Sequence, residues 1–252
     1  MDRNPTSALV VIGNEILSGR TQDINTQFLA RRLGALGLPL TEVRVIPDVF
    51  DTIVTTINET RARFDFVFTT GGIGPTHDDI TSEAVAAAFG VPWEPHPVAW
   101  ERMERLLGRE NFNKARQRMA TMPRGARLIE NAISVAPGFA IGNVYVMAGV
   151  PRIMQSMFDH LAPELPAGQP VLSRAVHAHG VMEGILAEGL EAIQHRFPDL
   201  EIGSYPFYRA TGNGVVLLAK GTDEARLGAA QDEMEELIAS LGRTPVEGEP
   251  EQ

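Results

Sequence analysis

Thr69-Thr70-Gly71-Gly72-Ile73-Gly74-Pro75-Thr76-His77-Asp78-Asp79-Ile80-Thr81 joins an apolar run to a helical one through three glycines and two carboxylates. The residues before it, Phe64 to Thr69, place Phe66, Val67 and Phe68 in a row, as a parallel strand covered on both faces requires. After it, Ile80, Ala84, Ala87 and Ala88 recur on one helical face, and Gly90 and Pro92 stop the helix beyond Phe89. Thr76 is expected to cap this helix, with Asp79 returning a bond to the Thr76 N–H as in a capping box. Glycines let the main chain pass close to a ligand and adopt positive φ. Free loop amides and the positive end of a helix then converge, which predicts an anion site built from Thr70, Gly71, Gly72, Ile73, Gly74, Pro75 and Thr76.

Asp78 and Asp79 would repel a phosphate held there unless a cation lies between them, so a magnesium-like ion bridging carboxylate and phosphate is expected. The plainer alternative has Asp79 capping the helix and Asp78 facing water. Two familiar phosphate loops are excluded. A Walker loop needs Gly-Lys, and the chain has no such pair; the dinucleotide fingerprint needs a third glycine where His77 stands. A nicotinamide-dependent dehydrogenase is thereby disfavoured.

Outward from this loop, strands and helices alternate. Ala8 to Ile12 is apolar, Gly13 to Asp23 is expected to be a loop, and Asn25 to Leu36 has a helical stripe of Phe28, Leu29, Leu33 and Leu36. Thr41 to Ile46 follows as a strand, and Asp51 is placed to cap a helix reaching Arg63. Such order predicts an α/β fold with a doubly wound parallel sheet, in which ligands sit beyond the carboxyl ends of the strands. Gly13, Asp48 and Gly71 all follow strand ends and should share one rim. Trp100 to Met119 reads as helical and partly exposed, Val144 to Met147 as a buried strand, and Arg152 to Leu161 as a helix.

The character changes after Pro163, Pro166, Gly168 and Pro170. Three strands, Val171 to His179, Glu201 to Phe207 and Gly214 to Ala219, and two helices, Met182 to Phe197 and Asp223 to Leu241, predict a smaller α+β subdomain. The expected division is 1–165, 170–242 and a disordered tail 243–252, rich in Pro, Gly and Glu. His177 and His179 share one strand face but lack a third ligand, which weakens a metal reading.

Composition narrows the function. No cysteine excludes disulfides and thiolate chemistry. A net charge of −10 argues against nucleic acid as partner. No apolar run approaches the roughly 20 residues of a membrane span, and the N-terminus has no secretory pattern, so the expected compartment is cytoplasmic.

The run Thr-Gly-Gly-x-Gly-Pro-Thr-x-Asp-Asp-Ile-Thr resembles the signature of the molybdenum-cofactor biosynthesis (molybdopterin-binding, MoaB/Mog-like) domain family, in the subgroup at the N-terminus of CinA-type proteins. Ile12-Gly13-Asn14-Glu15-Ile16-Leu17-Ser18-Gly19 with Asp23 and Asn25, Val45-Ile46-Pro47-Asp48, Ala136-Pro137-Gly138 and Gly149-Val150-Pro151 resemble its other motifs, over roughly Ser7 to Leu161. The resemblance implies Asp79 as the aspartate of an Asp-x-Thr element and Asp48 as its partner acid, so that Asp48, Asp78 and Asp79 hold the metal and carry the chemistry. It adds Gly13, Glu15, Pro137, Gly138 and Gly149 to the ligand site, and places Lys114 near a family lysine. Three positions depart from the pattern: Ile73 in place of threonine, Ala148 in place of proline, and Ser134-Val135 in place of Gly-Thr. A full CinA-type chain resembles this one plus a deamidase domain, and deamidation is not implied here. The implied ligand is a phosphorylated small molecule: a nucleotide, ADP-ribose or molybdopterin. The implied activity is cleavage of an ADP-ribose-like pyrophosphate, with adenylyl transfer to a pterin or binding without catalysis as alternatives. A homo-oligomer, dimer or trimer, is also implied by the resemblance.

Overall fold

A computed structural model describes residues 4–209 and 212–250. The chain divides into two compact units, one ending at Gly168 and the other beginning at Gln169.

In the first unit the elements run β1 (Ser7–Ile12), α1 (Asn14–Leu17), α2 (Asn25–Ala35), β2 (Leu40–Ile46), α3 (Phe50–Arg63), β3 (Phe66–Thr70) and α4 (Thr81–Phe89). They continue as β4 (Trp93–Pro95), α5 (Pro97–Leu107), α6 (Lys114–Arg118), β5 (Thr121–Pro123), β6 (Arg127–Ile129), β7 (Gly138–Ile141), β8 (Val144–Met147) and α7 (Pro151–Leu161). The main sheet has the order β2-β1-β3-β8-β7-β6. Its first three pairings are parallel, and β7 and β6 add antiparallel pairings. The sheet is therefore mostly, not wholly, parallel. Its antiparallel edge escaped the sequence because these strands are three or four residues long and carry little periodicity.

Strand alternation sends neighbouring side chains to opposite faces. Val10 and Ile12 pack with Ile53, Ile57, Ala84 and Met103, beneath α3, α4 and α5. Leu9 and Val11 pack with Leu29, Leu33, Met154 and Phe158, beneath α2 and α7. Both faces are dry, and this is why the central strands read as continuous apolar runs.

Four local expectations change. Gly13 to Asp23 contains the short helix α1. The helix expected over Trp100–Met119 splits into α5 and α6, because Gly108 takes a φ of 78° that ends α5. Val49, not Asp51, holds the cap position of α3, with Asp51 in its first turn. Most important for the site, α4 begins at Thr81 rather than just after Thr76. The amide that would continue a helix backwards, Thr81 N–H, donates instead to Gly72 O at 3.0 Å, and residues 75–80 form separate turns.

The second unit contains β9 (Leu172–His179), α8 (Glu183–Arg196), β10 (Glu201–Arg209), β11 (Gly212–Gly221), α9 (Glu224–Ser240) and β12 (Val246–Glu247). Its sheet, β10-β11-β9-β12, is antiparallel throughout, giving the βαββαβ order of a split βαβ fold. α8 and α9 cover the face carrying Val176, Val215 and Leu217. The tail expected to be disordered instead supplies β12: Val246 pairs with His177, and Gly248 N–H donates to Ala175 O at 2.7 Å. The β9 edge provides the order that a Pro/Gly/Glu-rich segment lacks by itself. Glu251 and Gln252, counted in that tail, lie outside the described residues, as do Met1 to Arg3 of the expected first domain. Among the described residues no helix is long and apolar enough to cross a membrane.

Candidate phosphate-binding site

The carboxyl ends of β1, β2, β3 and β8 meet through backbone contacts. Gly13 N–H donates to Ile46 O at 3.1 Å, and Gly71 N–H donates to Met147 O at 3.1 Å. Gly71 (φ 103°) and Gly72 (φ 67°) occupy conformations that other residues rarely adopt. A Cβ on Gly71 would stand 2.1 Å from Ile12 O, and one on Gly72 2.1 Å from the Thr81 hydroxyl. Both glycines are thus required by close approach as well as by φ. Beyond them, the N–H groups of Gly72, Ile73 and Gly74 donate to no acceptor among the described residues. Three consecutive free amides form a ready anion contact.

These groups line a cavity of about 500 Å³. Glu15, Asp48, Asp78 and Asp79 stand around it, and Ile73, Met119, Ile153 and Met157 give it an apolar wall. The loop ends of four strands therefore meet one cavity. Asn14 N–H donates to Asp48 Oδ2 at 2.8 Å, which fixes that acid at the rim. Partial burial pushes the Asp48 carboxyl above the ordinary carboxylate range; the Asn14 amide opposes this, and the charges of Glu15 and Asp78 add to it. Asp78 moves the other way, held below the ordinary range chiefly by the Thr76 hydroxyl.

Thr76 closes the acid-bearing turn. Its N–H donates to Asp79 Oδ2 at 2.7 Å, the return bond expected of a capping box, but the turn it closes precedes the helix. Its hydroxyl lies 2.5 Å from both Asp78 Oδ1 and Asp79 Oδ2, and its single proton serves one of them at a time. Asp79 also sits where a Cβ on Gly74 would be, 2.6 Å from its Oδ2. Arg118 braces the same turn from α6: its Nη2 donates to Asp79 O at 3.2 Å while its guanidinium lies 5.2 Å from the centre of the Trp93 ring. Sequence reasoning missed Arg118, because only the fold brings it 39 residues back to Asp79.

Other expected ligand residues are placed differently. Gly149 and Pro75 line the cavity, and Thr70 lines a side pocket that adjoins it. Gly13, at the cap position of α1, is not among the cavity residues. Gly138 is buried in β7, where a Cβ would meet Val146 O at 2.5 Å, so its role is packing. Pro137 lies in a neighbouring crevice beside Arg118. Lys114 starts α6 and is not among the cavity residues. His177 donates through Nδ1–H to Gly248 O, 2.7 Å away, a contact that secures β12.

Among the described residues, no group of three or more His, Cys, Asp or Glu side chains is arranged to hold a metal ion. The acids that raise the Asp48 pKa still form a field favourable to a cation. A larger depression, of about 640 Å³, lies at the opposite strand ends beside Glu42, Arg63 and Asp65, away from the free amides.

Comparison with known proteins agrees with this architecture. Residues 8–167 match the family described as probable molybdopterin binding domain, and residues 170–244 match the FAD synthase middle domain. A protein of Archaeoglobus fulgidus is 30% identical over 230 residues, covering 91% of this chain and 96% of its own. One from Aeropyrum pernix is 32% identical over 241 residues, 90% of each chain. The solved structure of CinA from Thermoplasma acidophilum superposes with a TM-score of 0.61 at 29% identity, over 65% of this chain and 99% of that one. The chain belongs to the molybdopterin-binding domain family, of the kind found in CinA, joined to a domain of the FAD synthase middle-domain family.

Proposed function

We propose that this protein is a divalent-metal-dependent nucleotide pyrophosphatase acting on ADP-ribose-like substrates in the cytoplasm. The observation that carries the reading is the meeting of three unpaired amides, at Gly72, Ile73 and Gly74, with four carboxylates around one cavity. The amides grip the non-bridging oxygens of a phosphate. The apolar wall of Ile73, Met119, Ile153 and Met157 suits a base or pterin ring. Asp48, Asp78 and Asp79, which line the same cavity, would hold the ion. Such an ion, when bound, would supply Lewis-acid polarisation of phosphorus and offset the charge on the phosphates. The Thr76 and Arg118 contacts keep the acid-bearing turn from collapsing onto the amides. Water adds to phosphorus and the anhydride P–O bond breaks, so ADP-ribose yields AMP and ribose 5-phosphate.

The match of the second unit to a FAD synthase domain supports a dinucleotide substrate, and makes flavin adenine dinucleotide a natural second candidate. One observation favours a different reading, a pterin- or nucleotide-binding module without catalysis: no three-ligand metal cluster forms among the described residues. Product analysis separates the two. ADP-ribose, flavin adenine dinucleotide and ATP are each incubated with and without Mg²⁺ or Mn²⁺, using wild type and Asp79→Asn. The enzyme reading predicts ion-dependent mononucleotide release that Asp79→Asn loses while still binding nucleotide; binding with no cleavage of any of the three leaves the module.

A further inference from the structure

Thr70 and Asn25 carry buried polar atoms that no protein group satisfies. Thr70 is 1% exposed and Asn25 6%, and both Thr70 Oγ1 and Asn25 Oδ1 are buried without a hydrogen-bond partner. Buried polar atoms of this kind are rare in native proteins and each calls for an occupant or a function. The Asn25 amide has a determined orientation. Gly149 O can only accept, so the group 2.8 Å from it is Nδ2, and Oδ1 is left as a pure acceptor. Nearby Asp23 is already committed: its Oδ1 accepts from the N–H groups of Asn25 (2.9 Å) and Thr26 (3.3 Å), and its Oδ2 from the Thr26 hydroxyl.

Both orphaned side chains line a side pocket of about 50 Å³. Ile12, Glu15, Thr21, Gly149 and Pro151 line this pocket and the 500 Å³ cavity alike, so the two adjoin. Its volume exceeds the ~10–15 Å³ that one water occupies on the same measure. Its polar lining holds the pure acceptors Asn25 Oδ1 and the Glu15 and Asp23 carboxylates, the Thr70 and Thr21 hydroxyls, which accept as well as donate, and the Gln22 amide. Such a lining disfavours phosphate and asks for hydrogen-bond donors.

Resting on the phosphate-site reading, we infer that the Asn25–Thr70 pocket is a subsite for the vicinal hydroxyls of a ribose whose phosphate is held by Gly72, Ile73 and Gly74. A pentose phosphate carries its donors and its anion on one ring, matching an acceptor pocket that opens beside an amide loop. Asn25 and Thr70 are thereby specificity-determining residues that select ribosyl over deoxyribosyl and non-sugar phosphates.

Isothermal titration of the full chain with ADP and with 2′,3′-dideoxy-ADP tests this, in wild type and in Thr70→Val. The variant exchanges a buried, unpartnered hydroxyl for a methyl of the same shape, which leaves folding stability unchanged or raised. Wild type should bind ADP about tenfold more tightly than the dideoxy compound, and Thr70→Val should bring the two within about twofold. Equal binding of both nucleotides by wild type overturns the hydroxyl subsite and leaves the phosphate loop standing. Undiminished discrimination by Thr70→Val also overturns it, since the hydroxyls are then read elsewhere. If neither nucleotide binds, the phosphate-site reading fails and the subsite falls with it.

Discussion

At Asp48 stability and function pull in opposite directions. Burial, with the charges of Glu15 and Asp78, raises its pKa in the folded protein, so the native state keeps this proton to a higher pH than the unfolded chain does. Its contribution to stability is fully present below the unfolded value of about 4 and is lost as pH rises through the folded value. Asp48→Asn should abolish that loss: its unfolding midpoint should fall less across this window and lie no lower than wild type at pH 7. Pyrophosphate cleavage by the same variant should drop about a hundredfold or more, measured by product formation. Gly72→Ala tests the loop backbone itself. A side chain there meets positive φ and the Thr81 hydroxyl together, so it should cost about 1–3 kcal/mol in urea unfolding and weaken ADP binding. Single residues differed in how well they could be read from sequence. Gly71, Gly72 and the acid pair announced themselves, because glycine and adjacent carboxylates are unusual between a buried strand and a helix. Arg118 and the Asn14 amide did not, because their roles exist only once distant segments meet.

Among the elements, the segment between β3 and α4 shows where a local pattern misleads. Thr76 and Asp79 do form the bond that a capping box predicts, yet Gly72 takes the Thr81 amide and delays the helix by several residues. The acids therefore stand on a turn over the cavity, not on the first turn of a helix. Periodicity located α2, α3, α7, α8 and α9 because each buries a stripe on a sheet. It missed β12, whose two residues are ordered by their partner strand. Deleting residues 243–252 exposes the β9 edge and removes the Gly248 acceptor from the buried His177. The deletion should lower the stability of the second unit by about 1–3 kcal/mol in denaturant unfolding while leaving ADP affinity intact.

For the molecule as a whole, the α/β class and the α+β companion were legible from the alternation of elements and the proline-rich break near Pro166. The antiparallel edge of β7 and β6 was not, since strands of three or four residues leave almost no pattern. Every group assigned to the phosphate site lies before Gly168, within the first unit. A chain ending at Gly168 should thus bind ADP within about twofold of the full protein by calorimetry, and the second unit alone should not bind it. The central claim concerns three backbone amides, and amide nuclear magnetic resonance observes them one by one. Adding ADP to the isotope-labelled protein should move the Gly72, Ile73 and Gly74 amide resonances downfield, as hydrogen bonds to phosphate form, and should leave those of α8 and α9 in place. Saturation with ADP while these three resonances stay fixed would contradict the account.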